Sequence, residues 1–221
     1  MDIIQAIEER HSVRKYQDKK LTEEAVSALR DEIKACNEES GLHIQLVTDE
    51  PEAFGSPMAH FGSFKGVTSY IALVGKESQD LDELLGYYGE RLVIKAQMLG
   101  LNSCWVAVTF RKVPGAYEIL PGEKLSAVIS LGYGLTQGKP HRSKNIHTVS
   151  NIADDSPEWF KEGVKAALLA PTAMNQQRFH LDLVGSGVHA SAGVGIYAKL
   201  DLGIVKYHFE VGSGKDKTVW V

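Results

Sequence analysis

Covalent and metal cross-links have little to work with in this 221-residue chain. It holds two cysteines, Cys36 and Cys104, far apart and outside any C-x-x-C pattern. That excludes a disulfide framework and a thiolate zinc site. The eight histidines show neither H-x-x-x-H nor H-E-x-x-H spacing, so no metal site is expected. No run approaches the ~18–20 apolar residues of a membrane helix. The start, MDIIQAIEERHSVRKY, lacks the basic, apolar, small-residue order of a secretion signal. An excess of one charge is missing too. Against 24 Lys+Arg stand 28 Asp+Glu, a net charge of −4, which offers no general attraction to nucleic acid or to an anionic membrane. Neither a G-x-S-x-G elbow nor a P-loop is present. What is there, 43% hydrophobic and 24% charged residues, suits a soluble, cytoplasmic protein of one large or two small domains.

Periodicity divides the chain into alternating helices and strands. Residues 2–9 read as a short helix with Ile3, Ile4 and Ile7 at helical spacing. A second helix opens at LTEEAVSALRDEIKA, with Thr22 as N-cap, Glu23 and Glu24 in its first turn, and a stripe of Ala25, Leu29 and Ile33. HIQLV (43–47) and VTSYIALV (67–74) read as strands around a looser stretch in which His60, Phe61 and Phe64 either line a pocket or simply pack. Leu85, Tyr88, Leu92, Ala96 and Leu99 mark a central helix that ends near Gly100. SCWVAV and LSAVISLGYG follow as strands, and residues 135–154 are polar and irregular. Then SPEWFKEGVKAALLA reads as a helix leading through PTAMNQQRF into HLDLV (180–184). Because the alternation is not regular βαβ, the class is α+β or mixed α/β. HIQLV and HLDLV share His, Leu and Val in register, each after a helix and a loop. This suggests a pseudo-duplicated helix–loop–strand half, with a core over 1–150 and a partner-like half over 151–221.

Three segments offer chemistry. Arg10 and Arg14 flank Ser12 at the close of the first helix, and helical continuation would put both guanidiniums on one face. Such a trio suits a phosphate, or it is a solvated patch balancing Glu8 and Glu9. The loop Pro171-Thr172-Ala173-Met174-Asn175-Gln176-Gln177 sets carboxamides behind a helix. These suit the alternating donors and acceptors of a heteroaromatic ring edge, or they solvate a helix exit that Pro171 enforces. Leu131-Gly132-Tyr133-Gly134, followed by Arg142-Ser143-Lys144, offers close backbone approach and two more cations. Cys104, inside SCWVAV, reads as a packed core thiol.

Taken together, these motifs resemble the FMN-dependent nitroreductases. RHSVRKY is similar to that family's R-x-S-x-R/K-x-F/Y segment, and LLGYYGERLVIKAQMLGLNSCWVA to its central helix and following strand. LGYG with Arg142-Ser143-Lys144 resembles its late strand end and basic pair, and PTAMNQQRF its P-S-x-x-N-x-Q-P-W loop. One departure stands out, since family members usually carry that loop after the first long helix, where this chain has CNEESGL. The resemblance implies an α+β fold with a central mixed or antiparallel sheet flanked by helices, and an FMN-dependent NAD(P)H oxidoreductase that passes electrons from NADH or NADPH, through flavin N5, to a planar small-molecule acceptor by a ping-pong cycle. A flavin-storing or flavin-sensing protein of the same fold is the alternative. It implies cofactor contacts from Arg10, His11, Ser12 and Arg14, from Trp105, Val106 and Ala107, and from Arg142 and Lys144. The loop would add Pro171, Thr172, Ala173, Met174, Asn175 and Gln177. No catalytic side chain is required, because the flavin carries the chemistry. The late loop implies either a monomer with an internal pseudo-dimer or a homodimer.

Overall fold

The computed structural model describes residues 1–55 and 57–221, without the side chains of Met58 and His60. In chain order come α1 (Ile3–Glu9), α2 (Glu23–Ser40), β1 (Gln45–Val47), α3 (Pro57–Phe61), β2 (Ser69–Lys76) and α4 (Leu81–Met98). β3 (Asn102–Val106), β4 (Glu123–Gly132), α5 (Ile146–Val149) and α6 (Glu158–Ala167) follow. The last are β5 (Phe179–Val184), β6 (Gly187–Ala192) and α7 (Ala198–Ser213), with single 3-10 turns at Ala173–Asn175 and Lys217–Val219. The chain is α+β, with an antiparallel sheet and helices around it. It forms two compact units. A sheet unit holds Arg10–Leu81 and Leu92–Lys139, and a hairpin unit holds Met1–Glu9, Asp82–Arg91 and Pro140–Val221.

In the sheet unit four antiparallel strands run in the order β1-β2-β4-β3. Their period of two sorts side chains between the faces. Tyr70, Ala72, Val74, Cys104, Val106 and Val128 join Val13, Tyr16, Phe54 and Phe64 in one apolar cluster. Ile71, Leu73 and Ile129, on the other face, are equally buried. Both faces are therefore covered, which is why β2 reads as a nearly unbroken apolar run. α2 starts as its sequence requires: Thr22 Oγ1 accepts from the Ala25 N–H at 3.2 Å, and Ala25, Leu29, Ile33 and Cys36 line its buried stripe.

The hairpin unit packs α6 on α7 beside the β5–β6 hairpin. Its tightest point joins α7 to the first half of α4. A Cβ on Gly203 would lie 2.0 Å from the Glu83 carbonyl oxygen, and one on Gly86 would lie 2.0 Å from that of Leu200. Only glycine lets the two backbones meet there. Next to this crossing His208 and Glu90 pair at 2.8 Å, both fully buried.

Several local expectations need correction. β1 covers only Gln45–Val47: the His43 N–H still donates to the Val74 carbonyl of β2, in register with the strand, but Ile44 between them is tied to the Asn37 amide of the preceding turn. β3 stops at Val106, leaving Ala107 and an exposed Val108 beyond the sheet. Residues 135–154 contain α5, capped where Asn145 Oδ1 accepts from the His147 N–H. Ile4 is exposed while Ala6 and Ile7 are buried. β6 and α7 have no expectation to meet. α7 is buried from Leu200 through Val205, so no single apolar stripe marks it.

Candidate functional site

Chain direction decides how the first basic cluster is used. α1 ends at Glu9, and residues 10–16 continue as extended chain rather than as helix. The cause is a sheet edge. The Val13 N–H donates to the Ser103 carbonyl at 2.9 Å, the Tyr16 N–H to that of Lys65, and the Leu135 N–H to that of Lys15. Ser12 pairs in parallel with Ser103 of β3. A helix would lose these bonds, so the expected helical face for Arg10 and Arg14 does not form. An extended chain instead alternates, which places Arg10, Ser12 and Arg14 on one side. All three act on one group, the Cys104 thiol, whose ionised form Arg14, Ser12 and Arg10 each favour. Burial pushes that thiol up and the two arginines offset part of the shift. Arg10 is buried and Arg14 exposed.

His11, on the opposite side, rests against Gly138, where an added Cβ would lie 2.7 Å from that of His11. Asn102 holds the same segment from below, accepting from the Gly134 N–H and donating to Gln137 Oε1, each at 2.9 Å. Trp105 shares the outward edge of β3 with Ser103, two residues away. Val106 is buried and Ala107 lies just past the strand.

In the hairpin unit the late basic segment and the carboxamide loop are joined. Gln177, 2% exposed, is the centre of the join. Its Oε1 accepts from the Lys144 N–H at 2.8 Å and its Nε2 donates to the Arg142 carbonyl at 3.0 Å. The Asn175 amide donates to the same carbonyl at 2.9 Å, and the Lys144 ammonium donates to the Gln177 carbonyl at 3.0 Å. Thr172 Oγ1 accepts from the Gln177 N–H, and Ser143 donates to the Leu168 carbonyl. The Arg142 side chain is exposed, and Lys144 keeps two of its three protons for other acceptors. Asn175 and Gln177 thus brace the loop and hold two cations two residues apart. Pro171, Thr172 and Ala173 lie half-buried and Met174 protrudes, 83% exposed.

The loop is strained. Met174, Asn175 and Gln177 all have positive φ, at 50°, 54° and 44°. Tyr197, which leads into α7, sits at 61°. Non-glycine residues hold such angles only when their surroundings over-determine them. Part of the support comes from Asp201 in the first turn of α7, which sequence reasoning missed. Its carboxylate accepts from the Ala173 N–H at 2.9 Å and from Gln176 Nε2 at 2.7 Å. Burial pushes the Asp201 carboxyl up, and these two hydrogen bonds offset part of that. An acid set between leucines in the otherwise apolar LDLGIV is the signal that could have found it.

The residues so placed fall in a chain that belongs to a known family. Residues 2–213 match the model of the family described as "Putative TM nitroreductase". This chain is therefore a member of that nitroreductase family. Among solved structures, one from Thermotoga maritima, called a "putative nitroreductase", aligns over 96% of this chain and 83% of its own, with a TM-score of 0.69 and 22% identity. A Desulfovibrio desulfuricans protein, called a "putative nitroreductase in complex with FMN", aligns over 71% and 99% with a TM-score of 0.51 and 17% identity. A Bacteroides thetaiotaomicron protein, called a "putative NADH dehydrogenase/NAD(P)H nitroreductase", aligns over 66% and 95%, with a TM-score of 0.52 and 19% identity. At these identities the likeness is one of fold. Comparison with curated proteins finds no match. Among the described residues no helix is long and apolar enough to cross a membrane.

Proposed function

We propose that this chain is an FMN-dependent oxidoreductase that draws electrons from NADH or NADPH and delivers them to a planar acceptor, a nitroaromatic or a quinone, in a ping-pong cycle. The observation that carries the reading is the brace around Gln177, which presents Arg142 and Lys144 beside a strained carboxamide loop in a nitroreductase-family chain. The FMN complex of the Desulfovibrio relative supports the cofactor, and the name of the Bacteroides relative supports the donor.

The donor set fits a flavin mononucleotide. A terminal phosphate carries close to two negative charges and is held best by charge-assisted donors. Arg142 and Lys144 supply these in the hairpin unit, and Arg10 with Ser12 supplies the same chemistry in the sheet unit. Arg14 suits the pyrimidine edge of the ring, where a cation favours the charge that reduction builds up. Trp105, Val106 and Ala107 offer strand backbone, and His11 fixes the extended segment that carries Arg10 and Ser12. Pro171, Thr172, Ala173 and Met174 form the loop surface that Asn175 and Gln177 hold in shape. Bound FMN would supply the redox chemistry itself, accepting hydride and releasing electrons from one ring. The protein residues bind, orient and exclude water, and none is needed as a proton donor. The late position of the loop favours a monomer with an internal pseudo-dimer over an exchange of loops between chains.

The test is direct. Chromophore released by heat from the purified protein should co-migrate with FMN, and the holoprotein should oxidise NADH or NADPH when menadione or a nitrofuran is added. FMN without turnover would mark a storage or sensing protein. FAD, or no flavin after reconstitution, overturns the reading.

A further inference from the structure

We propose that Asp201 is the positioning residue that keeps the Pro171–Gln177 loop in its flavin-accepting shape, an inference that rests on the functional reading above. The argument begins with cost. A carboxylate that is 2% exposed gives up nearly all its hydration, and a residue at such a place is ordinarily apolar. The two hydrogen bonds its carboxylate accepts come from the loop: one from the Ala173 N–H and one from the Gln176 side chain. Gln176 gives its second amide proton to the Ile196 carbonyl at 2.8 Å, so a single side chain ties the loop both to α7 and to the turn before it.

The loop needs that restraint. Of the six described non-glycine residues with positive φ, four fall here, three in the loop and one at Tyr197. Left-handed backbone is unfavourable for L-residues, so a loop released from its ties relaxes to other shapes. Asp201 is itself well anchored. Its N–H donates to the Tyr197 carbonyl at 2.9 Å, and the glycine crossing at Leu200 and Gly203 fixes α7 against α4 on either side of it. The carboxylate thus carries the rigidity of a helix crossing to a loop that could not hold its shape alone. It touches neither phosphate nor ring in this scheme and acts only through Ala173 and Gln176.

Titration of flavin-free protein with FMN tests the proposal in three variants. Asp201→Asn keeps an acceptor for Ala173 but meets the Gln176 amide with a donor, and FMN affinity should fall about tenfold. Asp201→Ala should weaken it further. Because Asp201 acts through Gln176, adding Gln176→Ala to Asp201→Ala should cost little more than Asp201→Ala alone. Unchanged affinity in Asp201→Asn, or fully additive losses in the double variant, overturns the proposal. A purely structural carboxylate would lower thermal stability without that non-additivity. Hydrogen exchange of the Ala173 amide in flavin-free protein reads the pin independently, and its protection should be lost in Asp201→Ala. If the unaltered chain takes up no FMN, the functional reading fails, while exchange at Ala173 still shows whether Asp201 holds the loop.

Discussion

Two helix-to-strand connections in this chain perform the same task with different means. α2 reaches β1 through a short turn that is satisfied almost entirely from within. Gly41 caps the helix in the left-handed region at φ 72°, its N–H donating to the Asn37 carbonyl. The Asn37 amide then closes the turn, taking the Ile44 N–H and giving to the Ile44 carbonyl, each at 2.9 Å. α6 reaches β5 through a loop that closes on itself only in part, through bonds such as those from the Asn175 and Gln177 N–H groups to Thr172. Its left-handed positions fall to Met174, Asn175 and Gln177 instead of glycine, and its bonds go to Arg142, Lys144 and Asp201. A self-sufficient turn costs little and presents nothing, whereas the second trades local ease for a fixed surface beside two cations. Strain of this kind persists only where the surroundings over-determine the backbone.

That contrast can be broken or sharpened by substitution. Gly203→Ala should be the most damaging, because its Cβ would meet backbone at 2.0 Å and α7 would have to move. A loss of ~3 kcal/mol or more in urea denaturation is expected. Next come the two bracing amides, compared side by side. Gln177→Ala removes a buried amide that both accepts from the Lys144 N–H and donates to the Arg142 carbonyl, and should cost about 2–3 kcal/mol. Asn37→Ala, at a half-buried turn open to water, should cost about 1 kcal/mol. Equal losses would mean that the two connections do not differ in kind. Smallest is Gly41→Ala, where open space leaves only the backbone angle to resist, for about 1 kcal/mol or less by the same measurement.

Much of this was legible beforehand wherever the signal is local. The Thr22 cap, the stripe on α2, the central helix and the two core strands are written in neighbours no more than four residues apart. The pairing of Arg142-Ser143-Lys144 with PTAMNQQ was suggested by likeness to a family, and the Gln177 bonds join those two segments. Three things were not legible. The extended path of residues 10–16 has no local signal, because its partner, Ser103, lies some ninety residues away. α7 was hidden because burial on nearly every side erases the 3.6-residue period. Asp201 has no local mark of its buried place, because an acid in a helix is usually a solvated one.

The sequence by itself determined the α+β class, most of the element order, the caps and the presence of two basic segments with one carboxamide loop. These depend on side-chain period and backbone propensity, which act along the chain. Tertiary structure alone decided which polar groups face each other: Ser12 along Ser103, Gln177 between Arg142 and Lys144, and Asp201 beneath Ala173 and Gln176. The reason is physical. A buried donor or acceptor must find a partner, but nothing in local periodicity says which distant segment supplies it. That choice is made only when the sheet edge and the glycine crossing bring the segments together.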